Sequence, residues 1–130
     1  MTFVYIIGGI VILFLGLQFF MIFSAKRTKG TKISGLSGSL KALEKNGSNG
    51  IVYFFSPSCR ACTMQTPIIK SLQKKYKNIF DVDISKDMQT ARAFGVKATP
   101  TTVAINNGII EEVFVGVKQQ NIFETYLNRR

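Results

Sequence analysis

The apolar positions of this chain fall into stretches of different period, and each period predicts a different element. Phe3 to Phe23 is unbroken: it carries no charge, and Gln18 is its one strongly polar side chain. As a helix it would be about 31 Å long, close to the roughly 30 Å hydrocarbon core of a bilayer. It lacks the polar face of a helix that covers a soluble core. Ile51 to Phe55 is a short β-branched and aromatic run, the pattern of a strand buried on both faces. From Ile79 to Ile84 the pattern alternates, Phe80, Val82 and Ile84 against Asp81 and Asp83, which predicts another strand. Thr101 to Ile105 and Ile109 to Val115 flank Asn106-Asn107-Gly108 and predict a hairpin. Lys32-Ile33-Ser34 is read as a short edge strand.

Helical spacing fills the gaps. Ser37 to Lys45 places Leu40 and Leu43 together and stops at Asn46-Gly47. Cys59 to Tyr76 sets Cys62, Ile69, Leu72 and Tyr76 on one side and leaves Lys70, Lys74, Lys75 and Lys77 in water. Pro67 falls inside this helix and should kink it. Asp87 to Phe94 predicts a short helix ended by Gly95. Lys118 to Asn128 turns Ile122, Phe123, Tyr126 and Leu127 inward. The order β-α-β-α-β-α-β-β-α combines parallel crossovers with an antiparallel hairpin. It predicts an α/β fold: a mixed sheet of four or five strands with helices on both faces. The chain divides into a transmembrane anchor over residues 1–25, a basic flexible tether over 26–38, and a folded domain over 39–130.

Charge bears on placement. Among the chain's 130 residues, Lys and Arg outnumber Asp and Glu for a net charge of +10. Lys26, Arg27, Lys29 and Lys32 crowd the end of the apolar stretch, and no positive side chain precedes it. The positive-inside rule therefore puts the domain in the cytoplasm, with an extracytoplasmic domain as the alternative. A secretory signal would begin with a positive segment and end in an A-x-A-like site, and neither is present at Met1-Thr2 or Phe23-Ser24-Ala25. An uncleaved single-pass anchor fits better than a cleaved signal or a core helix. The basic residues form no nucleic-acid motif, so no nucleic-acid partner is expected.

The chemistry is narrow. With no histidine, Ser-His-Asp and Cys-His hydrolases are excluded. Two cysteines alone cannot build an ordinary zinc site, so no metal and no cofactor is expected. Both cysteines lie in Cys59-Arg60-Ala61-Cys62, directly after the buried strand and at the start of a helix. Unpaired N–H groups and the helix dipole there favour an anion such as a thiolate. A redox pair, a structural disulfide or two spare thiols remain open.

From about Lys32 to Leu127 the chain resembles thioredoxin. The resemblance rests on Val52-Tyr53-Phe54-Phe55 leading into Cys59-Arg60-Ala61-Cys62, then Thr66-Pro67, Phe94-Gly95-Val96, Thr99-Pro100-Thr101 and the Asn107-Gly108 turn. It implies a thiol–disulfide oxidoreductase with Cys59 as the attacking thiol and Cys62 as the resolving one. It further implies that Arg60 and Ala61 tune the pair, that Pro100 is cis, and that Thr99 and Pro100 receive an extended substrate segment. The implied partners are cysteine-containing proteins and a reductase or membrane electron donor. Two departures stand out: Ser58 replaces the family's tryptophan, and Tyr53 replaces a buried aspartate thought to move protons at the second cysteine. A redox-silent binding module and a Cu(I) carrier are the other functions these residues could serve.

Overall fold

A computed structural model describes residues 1–26, 28–36, 38–45 and 48–129. Arg27 of the basic flank, Ser37, the helix stop expected at Asn46-Gly47, and Arg130 lie outside the described residues. The apolar stretch forms one helix, α1, over Thr2–Lys26. Its Thr2–Phe20 window has a mean hydropathy of 2.4 and none of it is buried in the protein.

Four strands form a mixed sheet in the order β2-β1-β3-β4, with β1 at Asn49–Phe55, β2 at Ile79–Asp83, β3 at Thr101–Asn106 and β4 at Ile109–Val115. β1 pairs parallel with β2 and antiparallel with β3, and β3 pairs antiparallel with β4. The alternation along β1 divides the core in two, because successive side chains point to opposite faces. Val52 and Phe54 join Leu40, Leu43, Phe94 and Ile110 on one face. Ile51 and Tyr53 join Ile69, Leu72, Phe123 and Leu127 on the other. Asn107 and Gly108 take φ of 53° and 72°, the positive values a two-residue hairpin turn needs.

The α-helices after α1 are shorter than their sequence patterns. α2 spans Cys62–Lys75, α3 Met88–Ala93 and α4 Gln120–Leu127. Cys59 therefore precedes its helix rather than opening it. Asp87 caps α3 by accepting the Thr90 N–H at 3.0 Å, which is why the helix starts one residue after it. The helix expected over Ser37 to Lys45 is a 3-10 helix at Gly38–Glu44. Residues three apart eclipse in that geometry, so Leu40 and Leu43 still reach the core together. Lys32 makes a single antiparallel bridge to Ile109 on the outer edge of β4 instead of a full strand.

Residues 28–36, whose composition predicted a flexible tether, lie along that edge. The Gly30 N–H donates to the Ile110 carbonyl at 2.7 Å, the Ile110 N–H to Thr31 at 3.0 Å, and the Ile33 N–H to Gly108 at 3.0 Å. Ile33 and Leu36 are buried in the core, and Lys29 pairs with Glu112 at 2.7 Å.

Candidate functional site

β1 ends at Phe55, and the turn through Ser56, Pro57 and Ser58 carries the chain to Cys59. The Cys59 N–H donates to the Ser56 carbonyl at 3.1 Å and closes that turn. Cys59 and Cys62 form a disulfide, their Cα atoms 5.3 Å apart. Cys62 is buried and Cys59 half-exposed. The Cys62 N–H points at the Cys59 sulfur, 3.2 Å away. A backbone N–H at this place, with the open end of α2 behind it, is the kind of donor that stabilises negative charge on a sulfur.

Arg60 and Ala61 are exposed between the cysteines. The Arg60 carbonyl takes the Thr63 N–H at 3.1 Å and the Thr63 hydroxyl at 2.6 Å, which shapes the first turn of the helix. The Arg60 side chain forms no ion pair among the described residues. The disulfide borders a shallow depression of about 300 Å³ lined by Phe55, Pro57, Thr63, Thr66 and Pro67.

The Thr99–Pro100 peptide bond is cis. Phe54 pairs with Thr101, so Pro100 sits at the end of the sheet from which the cysteine loop departs. Pro100 is buried, and its carbonyl receives the Gly116 N–H at 2.8 Å. Thr99 is half-exposed beside it. Sheet register thus gathers Cys59, Cys62, Thr99 and Pro100 at one end of the domain.

Two contacts around Cys62 escaped the sequence. Tyr53, fully buried, shares a hydrogen bond of 2.9 Å with the Thr66 hydroxyl and donates to the Cys62 carbonyl at 3.4 Å. Burial holds its phenol above the usual value, the Thr66 hydrogen bond opposes this, and Asp81 adds a smaller upward push. A neutral hydroxyl therefore lies under Cys62 at neutral pH. The fully buried Gln65 accepts the Lys118 N–H at 2.7 Å and donates to the Lys118 carbonyl at 3.3 Å. It ties α2 to the loop between β4 and α4. The spacing of Thr66 from Cys62, one helical turn, was the available signal for the first contact; none existed for the second.

Comparison with known proteins agrees with this geometry. The thioredoxin family model matches residues 40–129. The chain is 40% identical over 79 residues to "Thioredoxin 2" of Plasmodium falciparum, and covers 50% of each protein. It thus spans half the length of that relative. It is 35% identical over 80 residues to thioredoxin of Borreliella burgdorferi, covering 59% of this chain and 68% of that one. Among solved structures, the reduced Schistosoma mansoni thioredoxin pre-protein superposes with a TM-score of 0.59 at 31% identity, over 69% of this chain and 91% of that one. With the family match running from the 3-10 helix through α4, the chain belongs to the thioredoxin family.

Proposed function

We propose that this protein is a membrane-tethered thiol–disulfide oxidoreductase that reduces disulfides in protein substrates. The observation that carries the proposal is the Cys59–Cys62 disulfide, with the Cys62 N–H aimed at the Cys59 sulfur ahead of α2. In the reduced state the Cys59 thiolate attacks one sulfur of a substrate disulfide. A Cys59–substrate bond forms, and the substrate's other sulfur leaves as a thiolate. Cys62 then loses its proton to water and attacks the Cys59 sulfur. The Cys59–Cys62 bond forms, and the substrate departs with both cysteines reduced. Two electrons pass from the pair to the substrate, and a reductase or membrane electron donor restores them.

Exposure supports the two roles: Cys59 is half-exposed, open to a partner, and Cys62 is buried. Thr99 and Pro100 would receive the substrate backbone beside the sulfurs. Arg60 and Ala61 would tune the pair. Residues 1–25, nearly all in α1, would anchor the domain in the membrane, and the basic flank would keep it on the cytoplasmic side. That compartment is reducing, which supports the reductive direction.

The test is reduction of a soluble disulfide protein such as insulin, with dithiothreitol supplying electrons. Cys59→Ser should abolish turnover, and Cys62→Ser should accumulate the mixed disulfide. Full activity of the Cys59→Ser form would sink the proposal. Tyr53 in place of an ionisable carboxylate favours a second reading, a binding module without redox turnover. Under that reading the double cysteine variant keeps its cellular role.

A further inference from the structure

We infer that the disulfide is held at the membrane-proximal end of the domain, and that its substrates are disulfides of membrane proteins lying at the bilayer surface. This rests on the oxidoreductase reading and on α1 as the anchor. The path of residues 28–33 along β4 carries it. Ile33 meets Gly108 at the hairpin turn, Lys32 pairs with Ile109, Gly30 bonds Ile110, and Lys29 reaches Glu112. Traced back toward α1, the chain therefore climbs β4 from its turn toward Val115. Val115 pairs with Thr101, and Gly116 bonds Pro100, so this is the disulfide end of the sheet. Thr28 then covers Gly95, where an added Cβ would come within 2.8 Å of the Thr28 hydroxyl. α1 meets the domain at β4, and its Thr2–Phe20 window is not buried at all. The anchor thus leaves the domain at its redox end.

The distances are short. From Glu112 to Val115 is about 10 Å along the strand, and β1 lies two strand spacings, again about 10 Å, to the side. The sulfurs therefore stand roughly 15–20 Å from Glu112, to which Lys29, just past the end of α1, is paired. A loose tether over residues 26–38 could lift the domain by up to about 40 Å. Residues 28–36 instead lie bonded along β4 and pinned by Ile33 and Leu36, which limits that height. The surface at this end fits a membrane neighbour. Met64 and Val115 are 67% and 46% exposed at this end, and Arg60 and Lys97 are exposed there too, side chains that a bilayer surface accommodates.

The experiment uses the full chain in phosphatidylcholine vesicles with dithiothreitol as the reductant. Two single-span peptides share the vesicles. One carries a disulfide loop directly after its membrane helix, and the other carries the same loop on a rigid helical spacer about 60 Å long. Insulin in the same vesicles reports the soluble reaction. The near loop should be reduced at least about tenfold faster than the far one, because confinement sets the effective concentration. A rigid helical spacer of equal length inserted immediately before Thr28 should reverse the preference and leave insulin reduction unchanged. Equal rates on the near and far loops, with insulin still reduced, would overturn the inference and leave the proposed function standing. No reduction of any of the three would overturn both.

Discussion

Gln65 offers the sharpest check on how the site is held. Its fully buried amide makes two hydrogen bonds to the backbone of Lys118, 53 positions away, and fastens α2 to the loop before α4. Replacing it with leucine keeps the bulk and removes both partners. Two hydrogen bonds contribute about 1 kcal/mol each. The Lys118 N–H and carbonyl would then lack partners, and since Lys118 is only half-buried, water would replace part of what is lost. The expected loss is about 2–3 kcal/mol. For a domain of this size that lowers Tm by roughly 10–20 °C. The assay is urea denaturation of the oxidised full chain in detergent micelles. Gln65→Glu separates the two bonds. Burial raises a carboxyl pKa above its unfolded value of about 4.3. Near pH 4 the neutral acid both accepts from the Lys118 N–H and donates to its carbonyl, so stability should approach wild type. As pH rises, the folded state holds its proton longer than the unfolded one, and stability falls until the folded pKa is passed. A Gln65→Leu variant within about 0.5 kcal/mol of wild type would refute the clamp, since that is the range of an ordinary surface change.

Thr102→Val should stabilise the protein by about 1 kcal/mol, because the buried Thr102 hydroxyl has no hydrogen-bond partner among the described residues; thermal denaturation reads it. Asp87→Ala should cost about 1 kcal/mol through loss of the α3 cap. Hydrogen bonds from the Thr90 side chain and backbone hold the Asp87 carboxyl below its usual value. The wild-type advantage is thus full above the unfolded pKa of about 3.9 and fades as pH falls through the lower folded value, which acid denaturation of the two forms would show. Tyr53→Phe should cost about 1 kcal/mol by stranding the Thr66 hydroxyl. Its exchange rate should keep the same pH profile from about pH 6 to 9, because the phenol stays protonated there; a moved profile would make Tyr53 a proton donor or acceptor in the reaction.

The sheet was readable because its signals are local. Five apolar residues at Ile51 to Phe55 can only be covered on both sides, and Asn107-Gly108 supplies the positive φ values of its turn without outside help. The cysteine pair was equally plain, since its spacing and its place after β1 are consecutive in the chain. What sequence missed depends on contacts between distant segments. Ile33 and Leu36 sit among Lys, Gly and Ser, so composition marked a tether, and only the free edge of β4 explains their burial. Leu40 and Leu43 share a face in either kind of helix, which left the 3-10 geometry undetermined. Tyr53 was legible as a missing carboxylate but not as a hydroxyl under Cys62, because that role needs the position of α2 across the sheet.

Whether Cys59–Cys62 is a reducing redox pair is read from its reduction potential. Equilibration of the full chain against a thiol redox buffer, read by alkylation of the free thiols, gives the value. A reductant of this kind should lie at about −270 mV, the poise typical of thioredoxin. A potential well below about −300 mV would mark a structural disulfide that never turns over, and one near −120 to −180 mV would mark an oxidant or isomerase; either would contradict the proposed reductive role.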